Sequence, residues 1–154
     1  MTMNWRSMLF VPAAAPQRWA KAHTRGADAI IVDLEDSTQP EAKAAARAQA
    51  REAVQTLHAN GATVTVRVNN DPAHIEADLE AAVVAGLTAI VMPKVESVSE
   101  LDGLSAMLDA LEYENRMERY TIGVMAVIES PRALERITTF ADRQRREVDV
   151  DVAS

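Results

Sequence analysis

Residues 26–37 read GADAIIVDLEDS: a glycine, a short apolar run, and then three carboxylates within four residues. The apolar run is nearly continuous, as expected of a strand that is covered on both faces. Similar runs recur along the chain between segments of helical period, and they predict strands at 8–11, 29–33, 63–68, 89–92 and 122–128. This alternation is typical of an α/β fold with parallel strands joined by crossover helices.

Helix start and stop signals agree with this assignment. A proline near the first turn costs no hydrogen bond, and a glycine after the last turn readily adopts a left-handed conformation. Four prolines lie at expected helix starts and three glycines follow expected helices: Pro16, Pro40, Pro72, Pro131, Gly26, Gly61 and Gly86. The Ala-rich segment 41–59 predicts an outer, partly solvated helix.

Two architectures repeat a strand and a helix in this way, the open flavodoxin-like sheet and the closed eight-stranded barrel. The chain has 154 residues and about five strand-helix units, whereas a barrel needs about 200 to 250 residues. A complete flavodoxin-like sheet therefore fits the length, unless the chain is a piece of something longer. Residues 142–154 (DRQRREVDVDVAS) interrupt the rhythm, which predicts one domain over 1–141 and an aberrant tail over 142–154.

Composition excludes several classes of function. The net charge of −7 disfavours nucleic acid and anionic membranes as partners, and the chain has no cysteine for disulfides, thiolate metal sites or thiol chemistry. The apolar run at 8–15 is short and is interrupted by Pro12, so a signal peptide is not expected. We expect a cytoplasmic protein.

Charged residues cluster where the predicted strands end, which is where parallel α/β folds bind their ligands. The cluster comprises Asp33, Glu35 and Asp36 after the second strand, Arg67 and Asn69 at the third, Lys94 and Glu96 after the fourth and Glu129 after the fifth. We expect these strand ends to bring cations, several carboxylates and an amide to one mouth, where a small-molecule ligand binds.

Each candidate also has a structural interpretation. Three carboxylates so close together need a compensating cation, and a divalent metal or an arginine would provide it. The structural interpretation of the same segment is a solvated loop with a helix N-cap at Ser37 or Thr38. Arg67 suits a bidentate carboxylate or phosphate ligand, or an internal salt bridge to the acidic loop. Lys94 could act as a Schiff-base nucleophile, contact a phosphate or carboxylate of a ligand, or form an ion pair within the protein. We favour the ion pair. Glu129 suits Mg²⁺ as an oxygen ligand, or it complements a helix dipole.

Together these segments resemble the HpcH/HpaI aldolase and citrate lyase family, especially its citrate lyase beta-subunit-like branch. The resemblance extends over about residues 5–140. It is carried by RSMLFVP at 6–12, GADAIIVDLEDS at 26–37, VRVN at 66–69, MPKVES at 92–97 and IESP at 128–131.

The resemblance implies a partial (β/α)8 TIM barrel, with about five of eight units, from a Mg²⁺-dependent carbon–carbon lyase. Its substrates would be a 2-oxo acid and acyl-CoA thioesters such as citryl-CoA or malyl-CoA. By resemblance, Glu129 is a metal ligand, Arg67 grips the substrate carboxylate, and Glu35 and Asp36 orient substrate or metal-bound water. Arg67 and Glu129 would be the catalytic pair.

The family's second metal carboxylate, in a Gly-x-x-Asp-Leu-like segment, has no counterpart here. The resemblance therefore implies an N-terminal fragment with impaired activity, whose longer relatives are homo-oligomers. The alternative is a non-catalytic remnant or a flavodoxin-like binding domain.

Overall fold

The computed structural model describes residues 4–141 and 148–152. Six parallel strands form one sheet: β1 (Met8–Pro12), β2 (Ala29–Asp33), β3 (Val64–Arg67), β4 (Leu87–Met92), β5 (Gly123–Ile128) and β6 (Val148–Val152). The α-helices are α1 (Pro16–Trp19), α2 (Lys43–Ala59), α3 (Ile75–Ala82), α4 (Val98–Glu114), α5 (Pro131–Leu134) and α6 (Ile137–Ala141). Short 3₁₀ helices span Ala22–Arg25 and Pro40–Ala42. The predicted α/β class with parallel strands is confirmed.

The strands follow one another across the sheet in chain order, from β1 to β6. A flavodoxin-like sheet places its strands in the order 2-1-3-4-5, because its helices cover both faces. In a barrel, each strand is instead joined by a right-handed crossover helix to the strand next to it, so strand order in the sheet equals chain order. The flavodoxin-like alternative is therefore wrong.

The core lies between the sheet and one layer of helices. Alternate strand residues such as Ile30, Val32 and Val66 are buried in one apolar cluster with helix residues such as Leu57 and Leu104. Because side chains alternate across a strand, Ile31, Thr65 and Val91 face the other side of the sheet. The helices cover the outer face, and Ile31, Thr65 and Val91 on the inner face are buried as well. The carboxyl edge is therefore the part of the sheet expected to meet a ligand.

The prolines and glycines that were predicted to start and end helices lie where they were expected. Pro16, Pro40 and Pro131 begin helices, and Pro72 precedes α3. The three glycines have positive φ, at 78°, 81° and 101° for Gly26, Gly61 and Gly86 respectively. No helix among the described residues is both long enough and apolar enough to cross a membrane.

The structure adds a strand that the sequence analysis did not predict. Val148–Val152 pairs in parallel with β5, with Val124 opposite Val148 and Ile128 opposite Val152. The analysis expected a continuous apolar run there, whereas alternating Val and Asp is also a strand pattern. The rest of the predicted tail, 142–147 and 153–154, lies outside the described residues, so the boundary at 141 stays a prediction.

Candidate active site at the carboxyl edge of the sheet

The register of the strands brings the candidate residues to one edge. Asp33, at the end of β2, is paired with Arg67, at the end of β3. Met92 at the end of β4 is paired with Ala126 of β5, so the segments carrying Lys94 and Glu129 leave the sheet side by side. Parallel pairing therefore assembles residues that are far apart in the sequence.

Arg67 and Asp33 form a buried bidentate pair. Arg67 Nε and Nη2 donate to the two carboxylate oxygens of Asp33 at 2.8 and 2.9 Å. The Arg67 guanidinium also lies 4.7 Å from the centre of the Phe10 ring, which favours a cation–π contact. Its side chain is 14% exposed, so it is largely but not completely shielded from solvent.

The remaining guanidinium nitrogen faces the acidic loop. Arg67 Nη1 lies 3.2 Å from Glu35 Oε2 and 3.6 Å from Asp36 Oδ2. Arg67 Nη1 and Glu35 Oε2 are close but do not form a hydrogen bond. Glu35 Oε2 is buried and has no hydrogen-bond partner. The contact is therefore electrostatic, and Nη1 keeps donor capacity for a ligand.

Asp33 organises the acidic loop as well as Arg67. Its two oxygens accept hydrogen bonds from the backbone N–H groups of Glu35 and Ser37, each at 3.0 Å. Burial opposes its ionisation, but the hydrogen bonds from Arg67, Ser37 and Glu35 outweigh that effect and hold the pKa of Asp33 below its ordinary value. Asp33 is therefore an anion that shapes the loop.

Lys94 neutralises the other side of the loop. Its ammonium group donates to Glu35 Oε1 and lies 3.6 Å from Asp36 Oδ1. The hydrogen bond to Glu35 raises the pKa of Lys94 above its ordinary value. A raised pKa opposes the free amine that a Schiff-base nucleophile needs, so the favoured ion-pair interpretation fits the geometry.

The backbone of Lys94 links this cluster to β5. Lys94 has a left-handed conformation with φ of 53°, uncommon for a residue with a side chain. In this conformation its backbone N–H donates to Glu129 Oε2 at 2.9 Å. Glu129 itself is exposed, and the following Ser130 caps α5 by accepting a hydrogen bond from Ala133 N at 3.1 Å.

A sequence profile of the HpcH/HpaI aldolase/citrate lyase family matches residues 6–151, almost the whole chain. This chain belongs to that family. The matched range extends beyond the residues that carried the resemblance and takes in most of β6.

Individual members of the family are similar over comparable lengths. The citrate lyase beta subunit of Leuconostoc mesenteroides is 31% identical over 150 residues, which is 97% of this chain and 50% of that protein. The (3S)-malyl-CoA thioesterase of Cereibacter sphaeroides is 36% identical over 115 residues, 74% of this chain and 40% of that protein. The chain thus spans about half the length of these relatives.

A solved structure supports the architecture. The citrate lyase beta subunit of M. tuberculosis, complexed with oxaloacetate and magnesium, superposes with a TM-score of 0.68 at 29% identity. The superposition covers 93% of this chain and 56% of that one. Together with the strand order, this likeness confirms the predicted TIM-barrel type of fold.

Within this family member, Glu35, Asp36, Arg67, Lys94 and Glu129 form one connected cluster. Arg67 and Lys94 both contact Glu35 and Asp36, and Lys94 also contacts Glu129. The internal salt bridge proposed for Arg67 is present. The acidic loop is only partly solvated, because Glu35 is buried whereas Asp36 is exposed. The predicted N-cap at Ser37 or Thr38 is wrong, since the next helical turn begins at Pro40 after Gln39. The roles of these five residues toward a ligand stay predictions.

The donor set fits part of a magnesium site. Glu129 offers an exposed carboxylate, and Mg²⁺ typically takes one or two carboxylates and leaves positions for water and substrate. Within the described part of the chain, no three histidine, aspartate or glutamate side chains are placed to hold a metal ion. Glu129 therefore fits as one protein ligand of such a site.

Several residues at this edge were missed. Sequence reasoning did not assign a role to Phe10, Lys43 or Asp78, and it named Asn69 only as an amide at the mouth. Phe10 was part of a quoted motif but was interpreted as strand. Asp78 gave a usable signal, because an acidic residue next to Leu79 in a helix that packs on the core calls for a buried partner.

Proposed function

We propose that this chain carries part of the active site of a Mg²⁺-dependent carbon–carbon lyase of the citrate lyase beta-subunit type. The observation that carries the proposal is the linked cluster at one edge of the sheet, in which Arg67 connects through Glu35 and Lys94 to Glu129. Membership of the family supports the reaction class. The complex of the M. tuberculosis relative with oxaloacetate and magnesium supports a 2-oxo acid as the ligand.

Arg67 is proposed to bind the carboxylate of the oxo acid. Asp33 holds Nε and Nη2, which fixes the guanidinium plane and leaves the Nη1 edge toward the mouth. A substrate carboxylate at this edge would accept from Nη1 in competition with Glu35 and Asp36. A charge-assisted contact of this kind fixes orientation as well as affinity.

Glu129 is proposed to hold Mg²⁺, with Lys94 N–H orienting its carboxylate. When bound, the metal would act as a Lewis acid toward the oxo acid. Cleavage breaks the bond between the carbinol carbon and the α-carbon of the thioester, and the bonding electrons form a thioester enolate. The alcohol proton passes to solvent as the ketone forms, and the enolate then takes a proton from solvent to give the acyl-CoA thioester. In the reverse reaction, the condensation of the oxo acid with the acyl-CoA, Glu35, Asp36 and Lys94 are proposed to orient the oxo acid.

The acyl partner is proposed to be a CoA thioester of the citryl-CoA or malyl-CoA kind, which the malyl-CoA thioesterase relative supports. We further propose a cytoplasmic location, no nucleic-acid or membrane partner, and a homo-oligomer for longer relatives. The absence of cysteine is compatible with this location, and the net charge of −7 disfavours nucleic acid and anionic membranes as partners.

The test combines binding with turnover. The purified chain is titrated with oxaloacetate in Mg²⁺ by calorimetry, and it is incubated with acetyl-CoA and oxaloacetate or glyoxylate to look for product by mass spectrometry. We expect Glu129→Gln to weaken Mg²⁺-dependent oxaloacetate binding at least about tenfold, since it removes the anionic ligand. Glu118→Gln removes one exposed charge elsewhere and should leave binding unchanged.

Binding without product would support the non-catalytic binding module instead. If neither oxaloacetate binding nor product is detected with the wild-type chain, the proposed function is wrong for this chain.

A further inference from the structure

A buried polar network lies behind the acidic loop, on the helix side of the site. Its members are Lys43 and Arg47 of α2, Asn69 after β3, and Asp78 of α3. Asn69 and Asp78 are almost completely buried, with exposed fractions of 4% and 1%. Burying an ionised carboxylate and an amide is costly unless each is fully hydrogen-bonded, so the network needs an explanation.

Asn69 lies at the centre of this network and uses its backbone N–H and both polar atoms of its side chain. Its backbone N–H and its Nδ2 donate to Asp78 Oδ2 at 2.9 and 2.7 Å. Its Nδ2 also donates to the Leu34 carbonyl at 2.9 Å, and its Oδ1 accepts from Lys43 Nζ at 2.6 Å. Arg47 Nε holds the other oxygen of Asp78 at 2.7 Å.

The network ends on the backbone of the acidic loop. Lys43 Nζ donates to the carbonyls of Leu34 and Glu35 at 3.2 and 3.1 Å. Two consecutive peptide groups, immediately before and after the Glu35 α-carbon, are therefore fixed from the helix layer. Asp33 fixes the same loop from the strand side through the N–H of Glu35.

We propose that Asn69 is a positioning residue: with Lys43 and Asp78 it sets the backbone of the acidic loop so that the Glu35 carboxylate lies between Arg67 and Lys94. Glu35 contacts both cations, and a shift of about 1 Å in its backbone would break this arrangement. The consequence for substrate binding rests on the proposed function, but the placement of Glu35 does not.

The first test measures the loop without a substrate. Amide hydrogen exchange of the full chain is followed by NMR in the wild type and in Asn69→Ala. We expect exchange at Glu35 and Ser37, whose N–H groups bond to Asp33, to accelerate about tenfold more than exchange at Ile30 and Val32. A purely structural role for Asn69 would accelerate loop and core exchange by the same factor, and this outcome would overturn the proposal.

A second set of variants covers the case in which Asn69→Ala does not fold. Lys43 is only partly buried, and Lys43→Met keeps the length of its chain while removing the donor to both loop carbonyls. We expect Lys43→Met to accelerate loop exchange selectively, and Lys43→Arg, which keeps a cationic donor, to restore most of the protection. Lys21→Met, at an exposed lysine, is the matched control and should change neither. Equal loop protection in Lys43→Met and Lys21→Met would contradict the proposal.

The substrate arm separates this inference from the proposed function. With oxaloacetate and Mg²⁺, we expect Lys43→Met to raise the dissociation constant about tenfold relative to Lys21→Met. If the wild-type chain binds no oxaloacetate, the proposed function fails while the exchange experiment still decides the role of Asn69. If binding is intact in Lys43→Met although its loop exchange is faster, Glu35 placement is irrelevant to the substrate and that part of the inference is overturned.

Discussion

At the residue scale, the site depends on how one buried carboxylate distributes its hydrogen bonds. Asp33 binds Arg67 through both oxygens and also accepts from two backbone N–H groups of the acidic loop. Removal of its charge would leave the buried guanidinium of Arg67 without its main partner. Breaking a buried ion pair from one side commonly costs about 3 kcal/mol or more.

This residue makes stability depend on pH in a defined direction. The pKa of folded Asp33 lies below the ordinary value of 3.8, so its ionised form adds stability above that pH. The contribution is lost as the pH falls through 3.8 and through the lower folded pKa. We therefore expect Asp33→Asn to be less stable at pH 7, and its free energy of unfolding to fall less steeply than that of the wild type on acidification below about pH 5.

The measurement is urea unfolding at several pH values between 7 and 2, followed by circular dichroism. Glu41→Gln, at an exposed position before α2, serves as the control and should keep the wild-type slope. Parallel pH profiles for the wild type and Asp33→Asn would show that Asp33 does not carry this dependence.

The sequence located these residues but did not connect them. Their place after apolar runs was enough to predict that Arg67, Lys94 and Glu129 would share one edge. The choice between a salt bridge and a free ligand contact for Arg67 depended on the register of β2 with β3, which pairs Asp33 with Arg67. Register follows from long-range packing, so the segment around Arg67 could not decide it.

At the element scale, two glycines differ in whether their surroundings leave room for a side chain. Gly86 leads into β4 with φ of 101°, and a Cβ at this position would lie 2.7 Å from His58 Cγ and 2.8 Å from His58 Cβ in α2. The close atoms are near the His58 backbone, so they cannot move away cheaply. Gly103 lies exposed in the middle of α4, and a Cβ there would meet no atom within 4 Å.

Alanine at these two positions is expected to have opposite effects. Gly103→Ala should stabilise the protein by about 0.5–1 kcal/mol, because alanine is the better helix former. Gly86→Ala should destabilise it by about 2–3 kcal/mol, through left-handed strain and overpacking. Thermal and urea unfolding measure both. His58→Ala in the Gly86→Ala background removes the close contact with Cγ but keeps the one with Cβ, so it should recover only part of the packing cost. Destabilisation by Gly103→Ala would contradict the assignment.

Element prediction succeeded where local signals agreed and failed where they did not. The run at 29–33 has the same bounds in the structure, while β3 and β5 begin one residue later than predicted and β4 begins two residues earlier. β6 was missed because its alternating Val and Asp residues lack the continuous apolar character of the other strands. The network around Asn69 was missed because Lys43 and Asp78 reach it from two different helices.

At the scale of the whole molecule, charge shapes ligand binding. The chain has a net charge of −7, and at the candidate site Asp33, Glu35 and Asp36 outnumber the two cations Arg67 and Lys94. An anionic oxo acid that approaches this edge meets carboxylates as well as Arg67. Because like charges repel, a divalent cation is needed to make the local balance favourable.

We therefore expect oxaloacetate to stabilise the protein against heat only when Mg²⁺ is present. A ligand at about 100 times its dissociation constant stabilises the folded state by about 2.7 kcal/mol, provided that it binds the folded state alone. For a chain of this length, such a stabilisation corresponds to a rise in Tm of about 5–10 °C. Differential scanning fluorimetry with each ligand alone and with both together measures the effect. Arg67→Ala should abolish the joint rise in Tm, whereas Arg51→Ala, on the exposed side of α2, should preserve it. An equal rise with oxaloacetate alone would mean that Arg67 and Lys94 suffice to bind the oxo acid and that magnesium has no part in its binding to this chain.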